Sequence, residues 1–297
     1  MRIGNSNSAV LLIAAVIVGV ATSGCGSRPG KGTGADMDAV TQRARQVAEA
    51  WDGSPAADKW RAGYHPMSDV IQPPRGGLQS NADEQAYRDH SFVLRGKLPA
   101  AWPRTGKIAW DGGGDLTLPL TGPQDSYTSL SYNHQGSKPH LTVTNAKLGT
   151  MTLVTSRGPA TVPAWLYSLD GYASPLKQAA VKPSKLPASP IGPADDTPVR
   201  KLSGLSEIAA DGRSVTVVAL HGVCEEGPEI DVLETASSVV LSLVEQPESG
   251  RNCTKQARIQ QVRVEVDRPV SDRILLDAKT GRPLPYTPEN GASPSWS

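Results

Sequence analysis

Only one stretch of this chain keeps an apolar repeat of helical period. In Asp36 to Trp51, "DMDAVTQRARQVAEAW", the residues Val40, Ala44, Val47, Ala48 and Trp51 fall on one face. Asp36 and Asp38 favour its amino end through the helix dipole. Gly53 and Pro55 end it, and "AADKW", ending at Trp60, adds one more turn. Elsewhere short apolar runs are punctuated by the chain's 29 Gly and 25 Pro. A mainly β fold with an N-terminal helix is therefore expected.

The strands come in two groups. "SFVLRGKL" places Phe92 and Leu94 on one side, and "GKIAWDGGGDLTLPL" reads as a hairpin turned by Gly112 to Gly114. "SYTSLSYN" is a further strand candidate. "HLTVTNAKLGTMTLVTS" gives two strands, Leu141–Val143 and Met151–Leu153, around a turn at Asn145 to Gly149. Another strand runs up to Leu169, and the stretch from Gly63 to His90 reads as loop. The Pro-rich segment 181–198 has no regular interior and marks a linker. It divides a β-rich domain with the N-terminal helix, 36–180, from a small antiparallel sandwich-like module, 199–288. That module has four expected strands. Among them Val215, Val217 and Ala219 share a face, as do Val262, Val264 and Val266. Residues 289–297 read as a disordered tail.

The front of the chain sets the compartment. Arg2 is the only charge before Cys25, and Ala9 to Ala21 is uninterruptedly apolar. That run is short for a membrane span and suits a signal peptide over 1–24. Small residues follow up to Gly24, and Cys25 then stands where a lipoprotein signal places its acceptor thiol. Thr22 occupies a place where a larger aliphatic residue is usual. Cys25 is expected to carry diacylglycerol and a fatty acyl chain such as palmitate, with 25–35 as a flexible tether. Ordinary secretion is the rival. The expected location is the extracytoplasmic face of the cell membrane. Loss of Arg2 with the signal leaves 29 basic and 29 acidic residues, which gives no reason to expect a nucleic-acid partner.

Cys224 and Cys253 are the remaining cysteines, and an oxidising compartment makes a disulfide between them the expected state. A redox pair would normally sit in Cys-x-x-Cys, and a metal site needs more ligands. Glu225, Glu226, Glu229 and Asp231 fall in one acidic loop whose spacing fits no calcium hand. Asp111 and Asp115 flank the Gly112–Gly114 turn and read as hairpin residues. His65, His90, His134, His140 and His221 have no ligand-like spacing. Trp60, Trp102, Trp110 and Trp165 sit among apolar residues, so core packing outweighs stacking on a sugar. The motifs of the main hydrolase, metalloprotease and nucleotide-binding classes are missing, so no cofactor, metal or catalytic residue is expected.

One set of fragments tempts towards a penicillin-recognising serine enzyme: "SPLK" (Ser174, Lys177), "SYN" (Ser131, Asn133) and "KTG" (Lys279, Gly281). Their order is wrong for that class, which places Ser-x-Asn between the other two. The large helical domain that carries its nucleophile is absent, and Lys177 and Lys279 are expected to lie in solvent.

"VPAWLYSLDGYASPLKQAAV" and the stretch from "HGVCEEGPEID" through "CTKQARIQQVRVEVDRPVSDRILLDAKTGRP" resemble poorly characterised membrane lipoproteins of high-GC Gram-positive actinobacteria. The matching features are the Cys224, Cys253 pair and a late D-x-x-T-G-R-P, here Asp277, Thr280, Gly281, Arg282 and Pro283. The resemblance covers much of Trp110 to Pro283. It implies an exported, membrane-tethered protein and supplies no catalytic residue. The reading is a binding or structural lipoprotein at the cell envelope, its partner the bilayer and an envelope protein or glycan. An envelope hydrolase or transferase is the alternative.

Overall fold

The computed structural model describes residues 34–132, 139–246 and 256–287. The protein is mainly β, with several mostly antiparallel sheets and, among the described residues, four helices. The signal segment, residues 25–33, Asn133, His134, Cys253 and the tail from residue 288 lie outside the described residues.

The chain enters through α1 (Gly34–Trp51) and α2 (Pro55–Ala62). All five apolar positions read from the sequence of α1 are buried. The helix starts two residues earlier than expected, inside the stretch assigned to the tether. Ser54 caps α2 by accepting from the Ala57 N–H at 3.1 Å, and Pro55 fits its first turn. Then come β1 (Ile71–Gln72), α3 (Asn81–Arg88), β2 (Phe92–Leu94), β3 (Thr105–Trp110), β4 (Asp115–Pro119) and α4 (Pro123–Leu130). The first half closes with β5 (Leu141–Thr155), β6 (Gly158–Leu169) and β7 (Leu176–Ala179).

These strands form one seven-stranded sheet in the order β1-β7-β6-β3-β4, with β5 also on β6 and β2 alongside β5. The β3–β4 hairpin turns at Gly112–Gly114, where Gly113 and Gly114 take positive φ. Three expectations change here. The segment read as strand "SYTSLSYN" is mostly helix α4, started by Pro123. The two strands expected within 141–153 are one continuous strand, β5, whose irregularity between Val143 and Asn145 is a bulge and not a turn. The loop before His90 contains α3, capped by Ser80 accepting from Asp83 N–H.

The second half contains β8 (Val199–Arg200), β9 (Gly204–Ile208), β10 (Ser214–Gly222), β11 (Glu229–Glu234), β12 (Ser238–Val244), β13 (Ala257–Glu265), β14 (Ile274–Asp277) and β15 (Arg282–Pro283). A three-stranded sheet, β13-β10-β9, and a five-stranded one, β11-β12-β14-β15 with β8 on β12, make the sandwich-like unit. Val215, Val217, Ala219, Val264 and Val266 point into its core, as their alternation predicts. All of β12 is buried, and β14 lies parallel to it. That parallel pair departs from the all-antiparallel expectation. Its crossover passes through β13, which belongs to the other sheet.

The helix grouped with residues 36–180 packs elsewhere. Ala44, Val47, Ala48 and Trp51 share a core with Leu202, Val217, Val240 and Leu276, and α1 lies against β12 and β11. It shares that core with Ala57 and Trp60 of α2 and with strands some 200 residues away, not with the core of the seven-stranded sheet that follows it in the chain. The Pro-rich segment is likewise fastened on both sides. Ser184 N–H donates to Tyr64 O, Ser189 Oγ donates to Gly281 O, and Ala194 N–H donates to Lys279 O. Residues 65–69 form the seam between the halves: Met67 N–H donates to Val154 O while its side chain enters the C-terminal core.

Candidate functional site

The residues singled out in the sequence mostly prove to be architectural. Ser174 lies in a bend before β7, where its Oγ accepts from Arg75 N–H at 2.7 Å. Lys177 is on β7 itself, opposite Leu166 and Gln72, so the pair is not on a helical turn. Ser131 caps the carboxy end of α4 and is buried. Lys177 and Lys279 are half-buried rather than fully solvated, and Lys279 Nζ reaches Asp195 O at 3.4 Å. Trp60, Trp110 and Trp165 are buried, and Trp102 is half-buried beneath Arg104. Asp115 pairs with Lys107 across the β3–β4 hairpin.

The acidic group divides. Glu225 forms a two-pronged pair with Arg200, whose hydrogen bonds hold that carboxyl low despite burial. Glu229 and Asp231 belong to strand β11 and not to a loop. Asp231 turns inward beside Leu233, and burial raises its carboxyl. Among the described residues no group of three or more ligand-type side chains is placed to hold a metal.

The D-x-x-T-G-R-P stretch forms the turn between β14 and β15. Asp277 is buried; its Oδ1 accepts from the Thr280 N–H and hydroxyl, and its Oδ2 from Leu202 N–H. Burial raises the carboxyl and these bonds oppose the rise. Gly281 sits at φ 65. Its carbonyl accepts from Trp51 Nε1 at 2.8 Å and from Ser189 Oγ at 2.6 Å. Arg43 adds bonds to Ala278 O and Gly192 O. This turn therefore joins α1, the Pro-rich segment and the C-terminal sheet.

Cys224 follows β10. Val223 N–H donates to Gln256 O, continuing the β10–β13 ladder beyond Gly222–Ala257. The chain next to Cys224 is thus the chain that leads back to Cys253.

The arrangement with the most binding chemistry was not legible in the sequence. A cleft of about 340 Å³ opens at the seam, with Met67, Ile71, Val154 and Ile208 as apolar lining and Ser68, Asp69, Gln72, Ser206, Glu207 and Tyr286 as polar lining. Tyr286 Oη donates to Asp69 Oδ1 at 3.1 Å across 217 positions of chain. Burial raises Asp69 and the Tyr286 bond opposes this; burial and the nearby Asp69 charge raise Tyr286. Clefts between packed units, part apolar with a few convergent polar groups, are common binding sites. A second hollow, about 420 Å³ near Thr121, Asp125 and Lys182, lies beside the seven-stranded sheet and lacks such a polar pair. No helix among the described residues is long and apolar enough to cross a membrane. No family model, curated protein or solved structure matches the chain.

Proposed function

We propose that the protein is a lipoprotein held on the extracytoplasmic face of the cell membrane by acylated Cys25, with a binding role at the cell envelope. The observation that carries this reading is the position of Cys25. It directly follows the apolar run and its small residues, and it precedes the first helix at Gly34 by nine residues. Acyl chains contribute about 0.8 kcal/mol per buried CH₂, so two or three of them hold a domain firmly on a bilayer. The seam cleft would take an envelope protein or glycan, its Asp69, Glu207 and Gln72 accepting from or donating to ligand hydroxyl or amide groups. Intact-mass measurement and membrane fractionation of protein made in a native-like host test the anchor. Cys25→Ala should abolish the lipid mass and release a folded protein. A wild-type mature chain with an unmodified Cys25 would refute the proposal.

A hydrolase or transferase reading concerns the same cleft. Asp69 and Glu207 supply two carboxyls to the cleft, and a pair of carboxyls suits acid–base work on glycosides. Turnover of an envelope glycan that disappears in Asp69→Asn would favour that reading over binding.

A further inference from the structure

We infer that one end of the β10–β13 ribbon is the surface by which this protein rests on the lipid bilayer. The inference depends on the acylation of Cys25 proposed above. Among the described residues three large apolar side chains are exposed, Tyr132, Leu220 and Ile259. Two of these are direct cross-strand partners: Leu220 on β10 faces Ile259 on β13, at 46% and 75% exposure. Exposed apolar residues scattered singly need no explanation, but an adjacent pair on one face does. The other end of that face carries Arg263 and Glu265, an ion pair at 2.8 Å. The apolar character is therefore confined to one end.

That end lies close to where the chain enters the fold. Met37 and Val40 near the start of α1 pack with Val199 and Val244. Arg200, next to Val199, pairs with Glu225. Glu225 N–H donates to Gly222 O, and Gly222 is two residues from Leu220 on the same strand. Eight residues, 26–33, separate the acylated Cys25 from Gly34, nine Cα-to-Cα steps in all. Nine such steps span at most about 30 Å. The start of α1 is thus held within that distance of the bilayer, and Leu220 and Ile259 belong to the same end of the sheets. A single apolar pair binds lipid weakly alone. On a tether the contact becomes intramolecular, at an effective concentration of order millimolar. Arg258 and Glu226 give this end both signs of charge, so the contact relies on apolar insertion and not on anionic lipid.

The test is quenching by brominated phosphatidylcholine in vesicles carrying the acylated full-length protein. Ile259→Trp reports the proposed contact. Glu265→Trp, on the same face of the same strand and about 20 Å away, is its companion. We expect quenching above the wild-type background at 259 and none at 265, unchanged when phosphatidylglycerol is added. Acylated, vesicle-bound protein with no added quenching at 259 overturns the docking and leaves the anchor standing. Protein whose Cys25 carries no lipid in the same preparation overturns both. A dimer that Ile259→Asp dissociates, together with no quenching at 259, overturns the inference and assigns the face to a second copy of the chain.

Discussion

His65 should make this protein lose stability as pH falls through the mildly acidic range. Its ring is fully buried at the seam, stacked on Trp60 with centroids 3.9 Å apart and planes 6° from parallel. Burial lowers its pKa from 6.5 to about 4, with the Trp60 backbone opposing the shift. The folded form therefore refuses a proton that the unfolded chain accepts. Stability is complete above pH 6.5 and is lost as pH falls towards 4. Linkage with those two values removes about 2 kcal/mol between about pH 7.5 and about pH 5, rising to about 3 kcal/mol below the folded value. That is a measurable part of the roughly 5–15 kcal/mol that holds a typical domain. The perturbation is His65→Phe, which keeps a flat ring against Trp60 and cannot titrate. Urea unfolding of both proteins at several pH values gives the difference directly. Groups common to both cancel: Asp69, Asp231 and Asp277, raised by burial, stabilise as pH falls, while Glu225, held low by Arg200, and Glu234, held low by the Asp267 N–H and Arg273, do the reverse. The wild type should lose stability relative to His65→Phe on acidification. If the two proteins lose it in parallel, or if the His65 ring resonance titrates near 6.5, the argument from burial is wrong.

Gly281→Ala should destabilise by about 1–3 kcal/mol in denaturant, because an L residue at φ 65 is strained and the added Cβ would stand 2.6 Å from Ile191 Cγ2. Gly171→Ala, at φ 79 with open space around it, should show only the strain, so an equal loss at both sites would refute the packing argument. A bridge between Cys224 and Cys253 closes a loop of about 30 residues. The double variant Cys224→Ala, Cys253→Ala should lower stability by about 3–4 kcal/mol. Free thiols at both positions in protein from an oxidising compartment, read by peptide mapping without reduction, would defeat this.

Periodicity determined the parts of this protein that local geometry can fix. The buried stripe of α1, the β3–β4 hairpin and the inward faces of β10 and β13 were readable because a helix repeats every 3.6 residues and a strand every two. Where the local signal was polar or short, the reading failed. Helix α3 has one buried apolar residue, Ala86, and its best signal was Ser80 three residues ahead of Asp83. The middle of helix α4, Ser126 to Ser129, is Ser, Tyr and Thr, and Pro123 after Gly122 was the mark of its start. The bulge in β5 resembles a turn because Asn145 and Gly149 are turn formers, yet pairing with β6 carries the strand through. Only the tertiary structure decided which surfaces meet. It placed α1 against β12 across some 200 residues of chain, set β14 parallel to β12, and brought Tyr286 to Asp69. Such contacts depend on burying complementary apolar faces and satisfying buried polar groups together. An apolar stripe shows that a face must be buried, but it does not name the partner that will cover it.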